Sequence, residues 1–203
     1  GNDTIISIKE LKFSYHRTGF SLEIPELELH KNKITALIGP TGCGKSTLAW
    51  LISGLVNPLA GRINLSGKLL SNFSNIELRK IIGLTWQLPD LALIGPTVED
   101  DLQFSLDHLS INNIEISDIL SRVRLSGFEN RIVDSLSGGE KQKLQIANIL
   151  ATNPQLIIFD EPSAFLDPIS QSELAEIVNS LKSNDRSLLV IGHDLHFISE
   201  VAD

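Results

Sequence analysis

The sequence predicts an α/β protein: a mostly parallel sheet covered on both faces by helices, with an antiparallel β-subdomain at its N-terminus and an inserted α-helical subdomain. Three observations carry this prediction. Ile34 to Ile38 is an apolar run that leads through a glycine-rich loop, Gly39 to Gly44, into the helix-like Thr47 to Ile52. Leu156-Ile157-Ile158-Phe159 is apolar throughout, as a strand buried on both faces must be. From about residue 97 the apolar period changes from two to that of a helix, and strands and helices alternate again after residue 138.

Taken in order, Thr4 to Ile8 and Leu11 to Tyr15 are β-rich. Phe20 to Ile24 and Glu26 to Leu29 alternate apolar with polar residues, the pattern of half-buried antiparallel strands. Ile34 to Ile38 follows, then the loop and its helix. Gly61 to Leu65 and Lys80 to Trp86 read as two further short strands. Val98, Leu102 and Leu106, then Ile116, Ile119, Leu120 and Val123, fall at helical spacings and predict two or three helices, with the insertion bounded at about 97–138. A helix over about 139–151, the buried strand 156–159, a helix over 168–181 and a strand over 187–191 complete the alternation. Length and the 42% hydrophobic content suit one core, so residues 1–203 read as one domain. The chain stops ten residues past His193, in what reads as the first turns of a helix, so a C-terminus cut short is expected.

The loop Gly39-Pro40-Thr41-Gly42-Cys43-Gly44-Lys45-Ser46-Thr47 has the spacing of a phosphate cradle between strand and helix. Glycines let backbone N–H groups approach phosphate oxygens, and the helix that follows turns its positive end to the same anion. Lys45 supplies a mobile charge for β- and γ-phosphates, and the Ser46 hydroxyl is placed to coordinate Mg²⁺. Asp160 stands at the carboxyl end of the apolar strand, where open α/β sheets bind ligands, and reads as a Mg²⁺ residue. Glu161, one residue on, reads as a general base for an attacking water. The competing reading of this acidic pair is a helix cap. Ser137-Gly138-Gly139 opens the next helix and reads either as a second anion site or as an ordinary serine cap.

Together with Gln87, Leu136 to Glu140, Asp160-Glu161-Pro162, Ser163 to Asp167 and His193-Asp194, in that order, these residues resemble the ATP-binding domain of ABC transporters. The loop is general to P-loop NTPases; the Leu-Ser-Gly-Gly-Glu stretch is specific to the ABC class. The resemblance implies that Tyr15 stacks on adenine and that Gln87 reads the Mg²⁺ and γ-phosphate region and couples it to a partner. It further implies that Ser137, Gly138 and Gly139 bind the γ-phosphate held by a second copy, that Asp167 lies at the subunit boundary, and that His193 contacts the γ-phosphate. Trp86 to Asp90 with Leu93 to Asp101 is similar to the corresponding loop of cobalt/nickel and energy-coupling-factor (vitamin) importer ATPases, and would face a transmembrane partner. Glu140, Trp86 and Phe165 depart from the family's usual residues.

The expected function is therefore ATP hydrolysis with ATP and Mg²⁺ as cofactors, by a subunit that dimerises around ATP and powers a membrane importer for a metal ion or vitamin. The alternative is a soluble ABC ATPase acting as a clamp in DNA repair, chromosome structure or translation. A net charge of −8 argues against nucleic acid as a partner. The only cysteine, Cys43, lies in the phosphate loop, so no disulfide forms within the chain and a reducing cytosol is the natural setting. No apolar run reaches the ~18 residues that span a bilayer. The expected place is the cytoplasmic face of the membrane, held there by the partner.

Overall fold

In the computed structural model, residues 3–40, 44–183 and 185–201 are described, so Thr41, Gly42 and Cys43 of the predicted phosphate loop lie outside the described residues. The described residues form two four-stranded sheets. The antiparallel one is built from β1 (Thr4–Ser14), β2 (Ser21–His30), β4 (Ala60–Leu65) and β5 (Lys68–Leu69), in the order β2-β1-β4-β5. The parallel one is built from β3 (Ile34–Ile38), β6 (Ile82–Thr85), β7 (Leu156–Asp160) and β8 (Ser187–Gly192), in the order β3-β8-β7-β6.

Where two strand segments are predicted before Tyr15, the structure has one strand with a bulge. Ile6 and Ile8 are buried, and so are Leu11 and Phe13, which a strict period of two would put on opposite faces. The register slips between Lys9 and Lys12, and Glu10 takes a positive φ of 50°, so one extra residue returns the apolar set to the core side. The opposing residue has to be glycine. Gly61 has φ 83°, and a Cβ there would lie 2.3 Å from the Glu10 carbonyl oxygen. The segments around Pro25 are likewise one strand, β2; it is an edge strand, where a missing N–H leaves no ladder bond unmade.

Helices α1 (Lys45–Ser53), α2 (Asn75–Ile81), α3 (Val98–His108), α4 (Ile116–Arg122), α5 (Gly138–Leu150), α6 (Pro168–Leu181) and α7 (Leu195–Val201) surround the sheets. α2 corrects the strand expected from Lys80. Lys80 and Ile81 close a helix whose start is secured by Ser74 and Glu77: Ser74 Oγ accepts from the Glu77 N–H, and the Glu77 carboxylate accepts from the Ser74 N–H. The inserted region contributes two α-helices, α3 and α4, and a short 3₁₀ turn, Val133–Ser135.

The parallel sheet divides two cores. Ile157 and Phe159 of β7, with Leu188 and Val190 of β8, pack toward α3 to α7; Leu156, Ile158, Leu189 and Ile191 pack toward α1 and the antiparallel sheet. Each such side chain removed from water contributes about 1.5–3 kcal/mol, which is why the central strands tolerate no polar interruption. All described strand ends that carry predicted site residues therefore leave the sheet at one edge. Ile38 pairs with Gly192, Asp160 with Ile191, and Thr85 with Phe159.

Candidate nucleotide site

At that carboxyl edge, α1 begins directly at Lys45, after Gly44 in a left-handed conformation with φ 97°. A Cβ on Gly44 would lie 2.9 Å from the Phe20 ring, so the residue must be glycine for two reasons. Lys45 is 8% exposed. Its ammonium donates to the Gly39 carbonyl and lies 3.2 Å from Glu161 Oε1. Glu161, itself 7% exposed, also meets His193 Nδ1 through Oε2 at 3.0 Å. The lysine, the carboxylate and the imidazole thus form one chain of contacts at the mouth of the sheet. Glu161 holds a positive φ of 49°, a strained backbone for a side-chain-bearing residue and typical of functional corners.

Asp160 is deeper, 4% exposed, and its Oδ1 has no hydrogen-bond partner among the described residues. Its carboxyl group is raised above the ordinary value, first by burial; the hydrogen bond from Ser46 works the other way, the neighbouring Glu161 charge raises it further, and Lys45 lowers it. A buried, unmatched carboxylate oxygen beside a serine hydroxyl is the oxygen-rich donor set that a hard cation such as Mg²⁺ takes, so the residues present fit that ion.

Tyr15, Phe20, Gly44 to Thr47, Gln87 and Glu161 line one cavity of about 300 Å³. Tyr15 packs edge-on against Phe13 and tilted against Phe20, with its hydroxyl 3.4 Å from Thr47 Oγ1. The structure thus brings Tyr15, Lys45, Ser46, Thr47 and Gln87 around one space, with Asp160, Glu161 and His193 at its floor and rim. Gly39 and Pro40 lead into it from β3.

Ser137, Gly138, Gly139 and Asp167 do not line this cavity. Ser137 is the N-cap of α5: its Oγ accepts from the Glu140 N–H at 3.2 Å, and Glu140 Oε1 accepts from the Ser137 N–H at 2.9 Å. The structure thus shows the serine-cap reading of this stretch as a reciprocal cap at the start of α5. An added Cβ on Gly138 would lie 3.6 Å from Leu166, just ahead of α6, and one on Gly139 would lie 3.1 Å from Ser170 Oγ in α6. Asp167 caps α6 by accepting from the Ser170 N–H and hydroxyl, and those hydrogen bonds hold its carboxyl below the ordinary value.

Sequence reasoning passed over several residues that hold this geometry. Thr85 Oγ1 accepts the Asp160 N–H at 3.1 Å. Asp101, 2% exposed, accepts from the Ile94 and Gly95 N–H groups through Oδ1 and from Asn148 through Oδ2, pinning the loop after Gln87 to α3 and α5. Gln145 pairs with both backbone groups of Trp86. The available signal was the same each time: a polar side chain on an otherwise apolar face.

The family model described as ABC transporter matches residues 22–164. Among curated relatives, the energy-coupling factor transporter ATP-binding protein EcfA of Pediococcus pentosaceus is 38% identical over 95% of this chain and 71% of its own length. EcfA1 of Mycoplasma mobile is 36% identical over 96% of this chain and 73% of its own length. Among solved structures, cbiO1 from Clostridium perfringens, described as part of the ABC transporter complex cbiONQ, superposes with a TM-score of 0.86. It is 27% identical, over 99% of this chain and 83% of that one.

Proposed function

The chain belongs to the ABC transporter ATP-binding family, and within it to the energy-coupling factor transporter ATP-binding proteins; it is an ATPase, and we propose that it powers a membrane importer for a vitamin or metal ion. The observation that carries the reading is the convergence of Lys45, Ser46, Asp160, Glu161 and His193 on one sheet edge beneath the cavity that Tyr15 and Gln87 flank. Tyr15 receives the adenine. The loop from Gly39 to Thr47, including Thr41, Gly42 and Cys43, wraps the phosphates, and Lys45 exchanges Glu161 for the γ-phosphate. Ser46, Asp160 and Gln87 would hold Mg²⁺, which would supply charge neutralisation to the phosphate oxygens. Released from Lys45, Glu161 takes the proton of the attacking water, and His193 donates a hydrogen bond to the γ-phosphate.

The exposed start of α5 supplies the other half of the site to a second ABC ATPase subunit, a copy of this chain or a relative. Ser137, Gly138 and Gly139 face that subunit's γ-phosphate, with Asp167 at the boundary. Residues 1–203 act as a single ATP-binding unit with residues 97–138 as its helical insertion. A transmembrane subunit docks on the groove of about 340 Å³ lined by Leu55, Trp86, Leu93, Leu109 and Ile149, next to the exposed Leu88, Leu91 and Ile94. Among the described residues no helix is long and apolar enough to cross a membrane, and attachment to the cytoplasmic face runs through that subunit.

A pull-down from the native membrane fraction, with turnover measured with and without what is recovered, tests this. A polytopic membrane protein that stimulates hydrolysis is the expected catch. Recovery of DNA or ribosomal components in its place overturns the importer reading in favour of a soluble clamp.

A further inference from the structure

Gln87 stands two residues beyond the end of β6 at Thr85, and the two residues before it are held by other elements. Thr85 is bonded to the backbone of Asp160. Trp86 is held on two sides. The Gln145 side chain on α5 accepts the Trp86 N–H and donates to the Trp86 carbonyl at 3.2 Å, and its amide also donates to Gln142 at 3.0 Å. Gln145 and Gln142 are each 2% exposed, so these bonds meet little competition from water. On the other side, the Trp86 ring tilts against Trp50 of α1 with centroids 6.3 Å apart. These are the only two tryptophans in the chain. Trp50 lies on the helix whose first residues are Lys45, Ser46 and Thr47.

We infer that Trp50, Trp86 and Gln145 are positioning residues that set where the Gln87 amide stands over the phosphate and Mg²⁺ site. The inference rests on the role proposed above for Gln87. Gln145 pairs with both backbone groups of Trp86 just past the end of β6, as a neighbouring strand would, and fixes the backbone angle at which Gln87 leaves. Trp50 fixes the same point relative to the phosphate-loop helix. Trp86 also lines the groove offered to the transmembrane partner, while Gln87 lines the nucleotide cavity. A displacement at the groove therefore reaches the Mg²⁺ site across one peptide unit.

The test uses the full chain and two readouts, tryptophan emission and ATP affinity in EDTA. In Trp50→Phe, Trp86 is the sole tryptophan, and titrating Mg²⁺ into the ATP-loaded protein is expected to change its emission with a midpoint near that of the wild type. Trp50→Leu, and Gln145→Leu on the Trp50→Phe background, are expected to raise that midpoint by about fivefold, the effect of losing one ordinary contact or hydrogen bond. ATP affinity in EDTA stays within about twofold, because no phosphate contact changes. A purely structural role lowers the melting temperature and leaves the midpoint in place, and that result in either folded variant overturns the inference. Failure of the wild type to respond to Mg²⁺ at all removes instead the role given to Gln87 and the ion.

Discussion

Glu161 stands between Lys45 and His193 at the mouth of the sheet. Its carboxylate pairs with Lys45 in a site where both are under a tenth exposed. Glu161→Gln is expected to lower turnover by about 10²–10⁴-fold, the usual worth of a general base. Nucleotide binding to the same variant should tighten, since the ammonium no longer leaves a carboxylate partner; equal or weaker binding of a non-hydrolysable analogue, measured by calorimetry, contradicts the exchange. Asp160 has the opposite character, a carboxyl raised above its ordinary value chiefly by burial. Between the unfolded value and that raised value the unfolded chain releases its proton first, so stability falls as pH rises through the window and the cost is complete above it. Asp160→Asn should therefore raise the melting temperature of the ligand-free protein more at pH 8 than at pH 4, while abolishing the stabilisation that Mg²⁺ gives the wild type. Thermal melts across pH, with and without Mg²⁺, check both halves.

At the scale of elements, the loop between Gln87 and α3 is seated by one buried carboxylate. Gly95 approaches α3 so closely that a Cβ would lie 2.4 Å from the Asp101 nitrogen, and Asp101 gathers two loop N–H groups and the Asn148 amide. Asp101→Ala leaves those donors unmatched and is expected to cost about 2–4 kcal/mol, read by urea unfolding. The exposed Lys141–Asp90 pair at 2.8 Å joins the same loop to α5, and Asp90→Ala should change stability by under about 1 kcal/mol. How much of this the sequence announced varies with the physics of each element. β7 and β8 were legible because strands buried on both faces have no polar positions to confuse. α6 was legible at its start because Asp167 and Pro168 form a strong helix start. α2 was missed because only Leu78 of its seven residues is buried, leaving almost no apolar period, and its cap at Ser74 went unread. The bulge at Glu10 was seen only as a break. Lys45, Ser46, Asp160, Glu161 and His193 were legible as a set, whereas Thr85, Asp101 and Gln145 act through backbone groups far away in sequence, which periodicity does not encode.

For the whole molecule, the cavity and the start of α5 are separate places on one chain, so the shared site proposed above needs two chains. Glu161→Gln with ATP and Mg²⁺ is expected to sediment as a dimer at concentrations where the ligand-free protein is monomeric. Adding Ser137→Arg should abolish that dimer without weakening nucleotide binding to the monomer; analytical ultracentrifugation separates the outcomes, and a dimer that survives the arginine places the contact elsewhere.

The edge strand β2 also decides which kinds of assembly are closed to the chain. Its outer margin carries Glu23, Glu26 and Glu28, with Pro25 among them, so an incoming strand meets like charges and a missing donor. The other margin of that sheet, β5, is two residues long, and β6 is stitched to a side chain where its edge would continue. At these three margins ribbon-to-ribbon growth, the common route from sheet proteins to insoluble fibres, finds little to template on. A chain built this way can present its helix ends and loops to a partner without those sheet margins adhering to a neighbour.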